Sequence, residues 1–273
     1  MQSLGFVMRQ MNRRADAVGS VTVRLASGVG RFFRLLLSVL GFVIRGHWLR
    51  RPAVINVLIR QIYFTGVQSL PWVIVISLAV GVLAVYNIVV FAKSVEDLSL
   101  IGRMVSGLMV EEAAPLMVTI FLLARSGVAV VTEIGTMHVR GEDQLLRSLG
   151  INSHEYLFLP RALAFAVCGL ILTFIFTLIS VWVGGLVVSW SYELNFIDFL
   201  VEVRRGTSLG EMLMMFGKGA VFPVFCVLML MDQGCRVGRD PNRIPVRATN
   251  GVLGSLMLVL LLDTLLALAE SVL

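Results

Sequence analysis

Three apolar runs of this 273-residue chain each contain ionisable side chains. Glu111 and Glu112 interrupt MVEEAAPLMVTIFLLARSGVAVV, Lys218 sits in FGKGAVFPVF, and Asp263 sits in LVLLLDTLLAL. A charge placed in hydrocarbon costs roughly 2.5–3.5 kcal/mol on the insertion scale, so each needs a partner or a task. Depth can be read from a rise of ~1.5 Å per residue along a helix. Glu112 then lies ~12 Å below one face, and Lys218 and Asp263 each ~14 Å below the same face. At a common depth Lys218 can pair with Glu112 or with Asp263 across a bundle. Two uses of such a layer stay open: an ion pair that fixes helix packing, and a polar patch in an outward-facing cavity that binds an amphiphile's headgroup or follows a conformational change. A proton relay would also use buried carboxylates. No histidine joins the layer, because His47, His138 and His154 fall outside the apolar runs. Arg60 differs from these groups: it stands at the inner end of the first run, where a long side chain can snorkel to the interface.

The elements that must hold these groups are membrane spans. The hydrophobic fraction is 58% and the mean hydropathy +0.90, which places the chain among integral membrane proteins. A span needs about 20 residues, and five runs qualify: 65–92, 104–131, 161–188, 209–231 and 248–272. Pro160 falls where its missing N–H costs nothing, and Pro223 is expected to bend the fourth span. Ahead of the spans, residues 1–60 form a basic segment. Within it, 21–47 reads as an amphipathic helix lying in the interface, with Arg24, Arg31, Arg34 and Arg45 on one side. The remainder, 61–273, forms the span domain. The fold class is all-α, with five transmembrane helices and one short helix between the second and third.

Positive charge fixes the expected topology. Residues 1–60 carry ten Lys or Arg, 125–161 carry four, and 232–247 carry four; Lys93, Arg103, Arg204, Arg205 and Lys218 are the rest. The positive-inside rule then puts the N-terminus in the cytoplasm and the C-terminus outside. The basic residues thus serve as topology markers, and no separable basic face suits nucleic acid. Cys168, Cys226 and Cys235 have neither disulfide nor metal-ligand spacing. No secretory leader is read in the first thirty residues.

The segment after the second span is the other informative stretch. Glu142–Leu149 can make two helical turns, with Leu145, Leu146 and Leu149 on one face and Gly150 as terminator. Glu142, Asp143 and Arg147 cover the remaining surface. A short helix with an apolar stripe standing in the cytoplasm calls for a partner groove; packing on the N-terminal helix is the alternative. No P-loop occurs, so if ATP drives this protein, another chain hydrolyses it. No nucleophile elbow, zinc-protease motif or dinucleotide fingerprint is present, which leaves no catalytic set for a lipid enzyme. An ion-coupled secondary transporter of an amphiphile is the alternative function.

In sum these residues resemble the MlaE/YrbE permeases of ABC lipid transporters that work with MCE-domain proteins. The likeness runs from Arg60 to the C-terminus. It rests on Arg60-Gln61-Ile62-Tyr63 with Gly66-Val67, Glu112 with Pro115, Ala124-Arg125-Ser126-Gly127, and Glu133-Ile134-Gly135-Thr136-Met137. Gly150-Ile151, Pro160-Arg161, Lys218, Arg247-Ala248-Thr249 and Leu262-Asp263 complete it. The resemblance implies a permease homodimer in the bacterial inner membrane and a pair of cytoplasmic ABC ATPases that carry ATP and magnesium. It further implies a periplasmic MCE-domain protein, and it leaves an accessory cytoplasmic regulator open. The cargo it implies is lipid, usually phospholipid, and it assigns no cofactor to this chain. Glu112, Lys218 and Asp263 match the family's intramembrane charges, with Glu111 beside them and Arg60 at the head of the first span. Glu133, Arg140, Glu142, Asp143, Leu145, Leu146 and Leu149 match the region that couples to the ATPase. Two departures are visible. Glu111 stands where the family commonly has Arg, and Arg140-Gly141-Glu142 replaces the usual Thr-Glu-Gln.

Overall fold

The computed structural model describes residues 30, 34–39, 41, 52–94, 99–150, 154–192 and 195–272. Helix α1 is Pro52–Thr65, and a 3-10 turn, Val67–Ser69, joins it to α2, Leu70–Ser94. Helix α3, Ser99–Met104, runs through a π segment, Val105–Ala113, into α4, Ala114–Leu122. A second π segment, Leu123–Gly127, leads to α5, Val128–Val139. Helix α6 is Glu142–Ser148, and a π turn at His154–Phe158 opens α7, Leu159–Tyr192. Helices α8, Phe196–Gly206, α9, Leu209–Cys235, and α10, Arg243–Val272, complete the order. No strand occurs among the described residues.

Five stretches among these residues are long and apolar enough to cross a membrane: Val54–Ala92, Ile101–Val139, Tyr156–Trp190, Leu209–Cys235 and Arg243–Glu270. They match the expected spans in number and order, and each is longer than expected. The first begins eleven residues earlier than expected, because α1 and the 3-10 turn continue into α2 rather than forming a separate polar segment. The second runs on to Val139. Intrahelical hydrogen bonding does not stop where apolar composition does, so helices outlast their hydrophobic windows. Helix α9 passes through Pro223 without interruption. The amphipathic helix expected at 21–47 lies largely outside the described residues; within it, Gly30, 34–39 and Gly41 are helical, and Val39 is buried.

Helix α7 is the organising element. It packs along α1, α2, α4 and α9, and α9 in turn packs on α5 and α10. In lipid such contacts rest on close fit rather than on water expulsion, so small residues mark them. At the α2–α7 crossing an added Cβ on Gly81 would fall 2.6 Å from the Ser180 backbone, and Ser180 Oγ donates to the Ser77 carbonyl at 3.0 Å. At the α7–α9 crossing Gly169 faces the Gly219 carbonyl and Pro223. Around these points Leu122, Phe165, Leu172, Phe176, Leu228 and Met231 form the main core. Helix α10 contrasts with the others, with 11% of its apolar window buried against 33–56% for the first four spans.

Candidate functional site

Lys218 is the centre of the charged layer. Its neighbour Gly219 lets α9 approach α7 so closely that a Cβ there would lie 2.9 Å from Thr173 Oγ1. The Lys218 side chain is 1% exposed, and its ammonium lies 2.5 Å from Glu112 Oε1 and 3.4 Å from Asp263 Oδ1. The three groups come from three different spans. Glu112 reaches the lysine from the π segment Val105–Ala113, where one extra residue per turn rotates the following side chains around the axis. Glu112 is 28% exposed and Asp263 13%, so the lysine is sealed while its anions border accessible space.

More acid surrounds this triad than sequence reasoning gathered there. Glu111 faces Glu270 near the end of α10. Ser106 Oγ donates to Glu211 Oε2. Glu211 also accepts from the Ser208 backbone N–H while Ser208 Oγ accepts from Glu211 N–H, a capping box that starts α9. Ser208-Leu-Gly-Glu211 carried that signal openly, whereas nothing local in the sequence placed Glu270 opposite Glu111. The layer therefore combines one ammonium with carboxyl groups from the second, fourth and fifth spans.

Arg60 lies in a different place. It lines a cavity of about 660 Å³ with Gln61, Tyr63, Gln68, Glu133 and Arg161. Glu133 follows Glu112 by 21 residues on the second span, so this cavity is ~30 Å from the triad along the helix. Arg161, 3% exposed, pairs with Glu133 at 2.8 Å and donates to the Leu157 carbonyl at 2.8 Å. Arg125 ties the second span to the first. It donates to Phe64 O at 2.9 Å, Ser69 Oγ at 2.5 Å and Gln68 Oε1 at 3.2 Å. Its guanidinium also stands 5.5 Å from the Phe64 ring centre.

In the segment after α5, Gly141 and Gly150 adopt φ of 72° and 74° and bracket α6, a left-handed conformation that a side chain would strain. His138 Nδ1 lies 3.2 Å from Asp143, and Arg140 lies 3.7 Å from Glu142. Glu133, Arg140 and Glu142 share the wall of a shallow cavity of about 470 Å³. Leu145 and Leu149 are 60% and 67% exposed. Leu146 instead turns back onto the main core. That contact corrects the expectation that Leu145, Leu146 and Leu149 form one stripe turned towards a partner: Leu146 is one residue step, about 100° of rotation, from Leu145.

The family described as Permease MlaE matches residues 58–269 of this sequence. The chain belongs to the MlaE permease family. A probable ABC transporter permease protein of Rickettsia bellii is 26% identical over 253 residues, covering 92% of this chain and 95% of that protein. A probable ABC transporter permease protein of Synechocystis is 32% identical over 163 residues, covering 58% and 60%. The intermembrane phospholipid transport system permease protein MlaE of Haemophilus influenzae is 25% identical over 262 residues, covering 89% and 96%. As a multi-pass MlaE-family permease, this chain joins its buried charges across spans rather than within one helix. No group of three or more His, Cys, Asp or Glu side chains suited to a metal ion occurs among the described residues.

Proposed function

We propose that this permease moves phospholipid between the inner membrane and a periplasmic MCE-domain protein, as a homodimer driven by two cytoplasmic ABC ATPases. The observation that carries the reading is Lys218 held between Glu112 and Asp263 from three spans. A relative motion of those spans breaks or remakes the pairs, so the layer links helix arrangement to the polarity of any cavity it borders. The two carboxylates compete for one ammonium. The headgroup of an amphiphile entering beside them can take the place of either partner.

The name of the Haemophilus relative supports phospholipid as cargo, and the names of the Rickettsia and Synechocystis relatives support an ABC partner. The open face of α10 supports a second copy of the chain. An accessory cytoplasmic regulator fits the same scheme. ATP and magnesium would sit on the ATPase, whose docking surface we place on Arg140, Glu142, Asp143, Leu145 and Leu149.

The test is transport of a fluorescent phospholipid by proteoliposomes containing the permease and its ATPase and MCE partners. Lys218→Glu and Asp263→Lys, each alone, are expected to lower ATP-dependent transport by tenfold or more while the complex still assembles. Wild-type rates in both variants would remove the charged layer from the mechanism. Transport that persists without the ATPase but requires a proton gradient would replace this reading with an ion-coupled carrier.

A further inference from the structure

Most basic residues crowd the end of the bundle that carries α6. Three that do not, Arg103, Arg204 and Arg205, gather at one helix crossing at the opposite end. Two glycines set the crossing. A Cβ on Gly102 would lie 2.1 Å from the Glu202 carbonyl oxygen, and a Cβ on Gly206 would lie 2.3 Å from the Gly102 carbonyl carbon and 2.7 Å from the Arg103 nitrogen. Arg103, on α3, is thereby held against the last turn of α8, which carries Arg204 and Arg205. Glu202 takes Arg205 at 2.9 Å. Arg103 and Arg204 are exposed, and neither side chain has an ion pair or hydrogen bond among the described residues. The carbonyl end of the α8 dipole favours cations there, but it uses none of their N–H donors.

With about 100° of rotation per residue, α8 divides into three sectors. Phe199 and Val203 share the first and are buried. Asp198, Glu202 and Arg205 share the second. Its acids are already occupied, because Asn195 Nδ2 donates to Asp198 at 3.0 Å and Arg205 meets Glu202. Ile197, Val201 and Arg204 share the third, within about 60° of one another. Ile197 is 72% exposed and Val201 40%. An exposed apolar strip that ends on an arginine suits a helix lying on a membrane, with its apolar side chains against acyl chains and its cation at the phosphates. Position agrees. Helix α8 joins the third span, which ends at Trp190, to the fourth, which begins at Leu209. Trp190 is 91% exposed, and Trp182 packs edge-on against Phe196 at the start of α8, ring centres 5.6 Å apart. Such aromatics mark the headgroup zone. An acidic protein in the water would meet the second sector, whose two carboxylates oppose it.

We infer that the α3–α8 crossing binds an anionic phospholipid of the leaflet at the triad end. Arg103 from α3 and Arg204 from α8 take the phosphate diester, and Ile197 and Val201 receive the first carbons of an acyl chain. Gly102 and Gly206 let the two helices close enough for both guanidinium groups to serve one headgroup. The site lies outside the Lys218 layer and does not rest on the transport reading, and its test needs no partner protein.

The full chain with Cys235→Ser and Val201→Cys carries a bimane at position 201, the other two cysteines being buried. It is reconstituted in phosphatidylcholine vesicles. An equal, minor share of either phosphatidylglycerol or phosphatidylcholine carries a nitroxide near the top of one acyl chain, and bimane quenching by the two is compared. The expected preference for phosphatidylglycerol is about fivefold or more, the worth of an arginine beside an anionic head. Arg103→Gln with Arg204→Gln is expected to abolish it, each single Gln variant to fall between, and Arg204→Lys to keep most of it. Size-exclusion profile and helicity report folding of every variant. Equal quenching by the two lipids with both arginines present overturns the site, as does a preference that survives the double variant. A preference abolished by excess inorganic phosphate at constant ionic strength reassigns it to a free anion. A protein that co-purifies with the wild type and is lost from the double variant, with no lipid preference in either, gives the patch to a protein partner instead.

Discussion

The Lys218 ammonium is buried within a span and is met there by Glu112 and Asp263. Breaking a buried pair leaves an uncompensated ion and costs about 3–5 kcal/mol, whereas removing all members of a network together is often neutral. This separates packing from function at the level of single groups. Lys218→Met alone is expected to lower the thermal midpoint of the detergent-solubilised permease clearly. The triple variant Lys218→Met, Glu112→Gln, Asp263→Asn is expected to recover most of that loss. If the charges serve only packing, the triple variant also transports at the wild-type rate; the proposed role requires it to be stable and inactive. The meeting of these three residues was legible beforehand because lipid forbids isolated charge and helix rise fixes depth. Glu270 and the Arg125 anchor were not legible. Both depend on which way a side chain points around its helix, and the π segments at Val105–Ala113 and Leu123–Gly127 shift that direction by an amount no periodicity reveals.

Among the elements, α6 shows how a short helix divides its apolar residues between two duties. Leu146 anchors it to the core that α7 and α9 build, while Leu145 and Leu149 are exposed. The pattern Leu-Leu-x-x-Leu disclosed a helix with a stripe, but not that the stripe is split, because the split depends on the angle at which α6 leaves Gly141. The two duties give two outcomes. Leu145→Asp with Leu149→Asp is expected to release the ATPase in a pull-down and leave the permease's own thermal midpoint within a few degrees of wild type. Leu146→Asp is expected to lower that midpoint, since it buries a carboxylate in the core. ATPase fully retained by the double variant would remove these leucines from the docking surface. The spans themselves were the most legible elements, since five long apolar runs have no other use. Their ends were the least legible, as hydrogen bonds carry each helix past the last apolar residue.

At the scale of the whole molecule, the two polar tiers define its ends. The triad lies toward the end that carries α8 and the start of α9, and the Arg60 cavity lies at the end that carries α6. Basic residues crowd the second end: Arg140 and Arg161 flank α6, and Arg236, Arg239, Arg243 and Arg247 surround the turn between α9 and α10. The positive-inside rule assigns that end to the cytoplasm, where an ATPase would have to dock. Single cysteines test the assignment directly. In a chain with Cys235→Ser, Asn195→Cys is expected to react with a membrane-impermeant maleimide in intact spheroplasts, because Asn195 precedes α8 at the triad end. Leu149→Cys is expected to react only after the membrane is opened, because it follows α6. The reverse pattern would place the triad on the cytoplasmic side and α6 outside. That would separate the proposed docking surface from every source of ATP and leave the Lys218 layer facing the wrong compartment for delivery to a periplasmic protein.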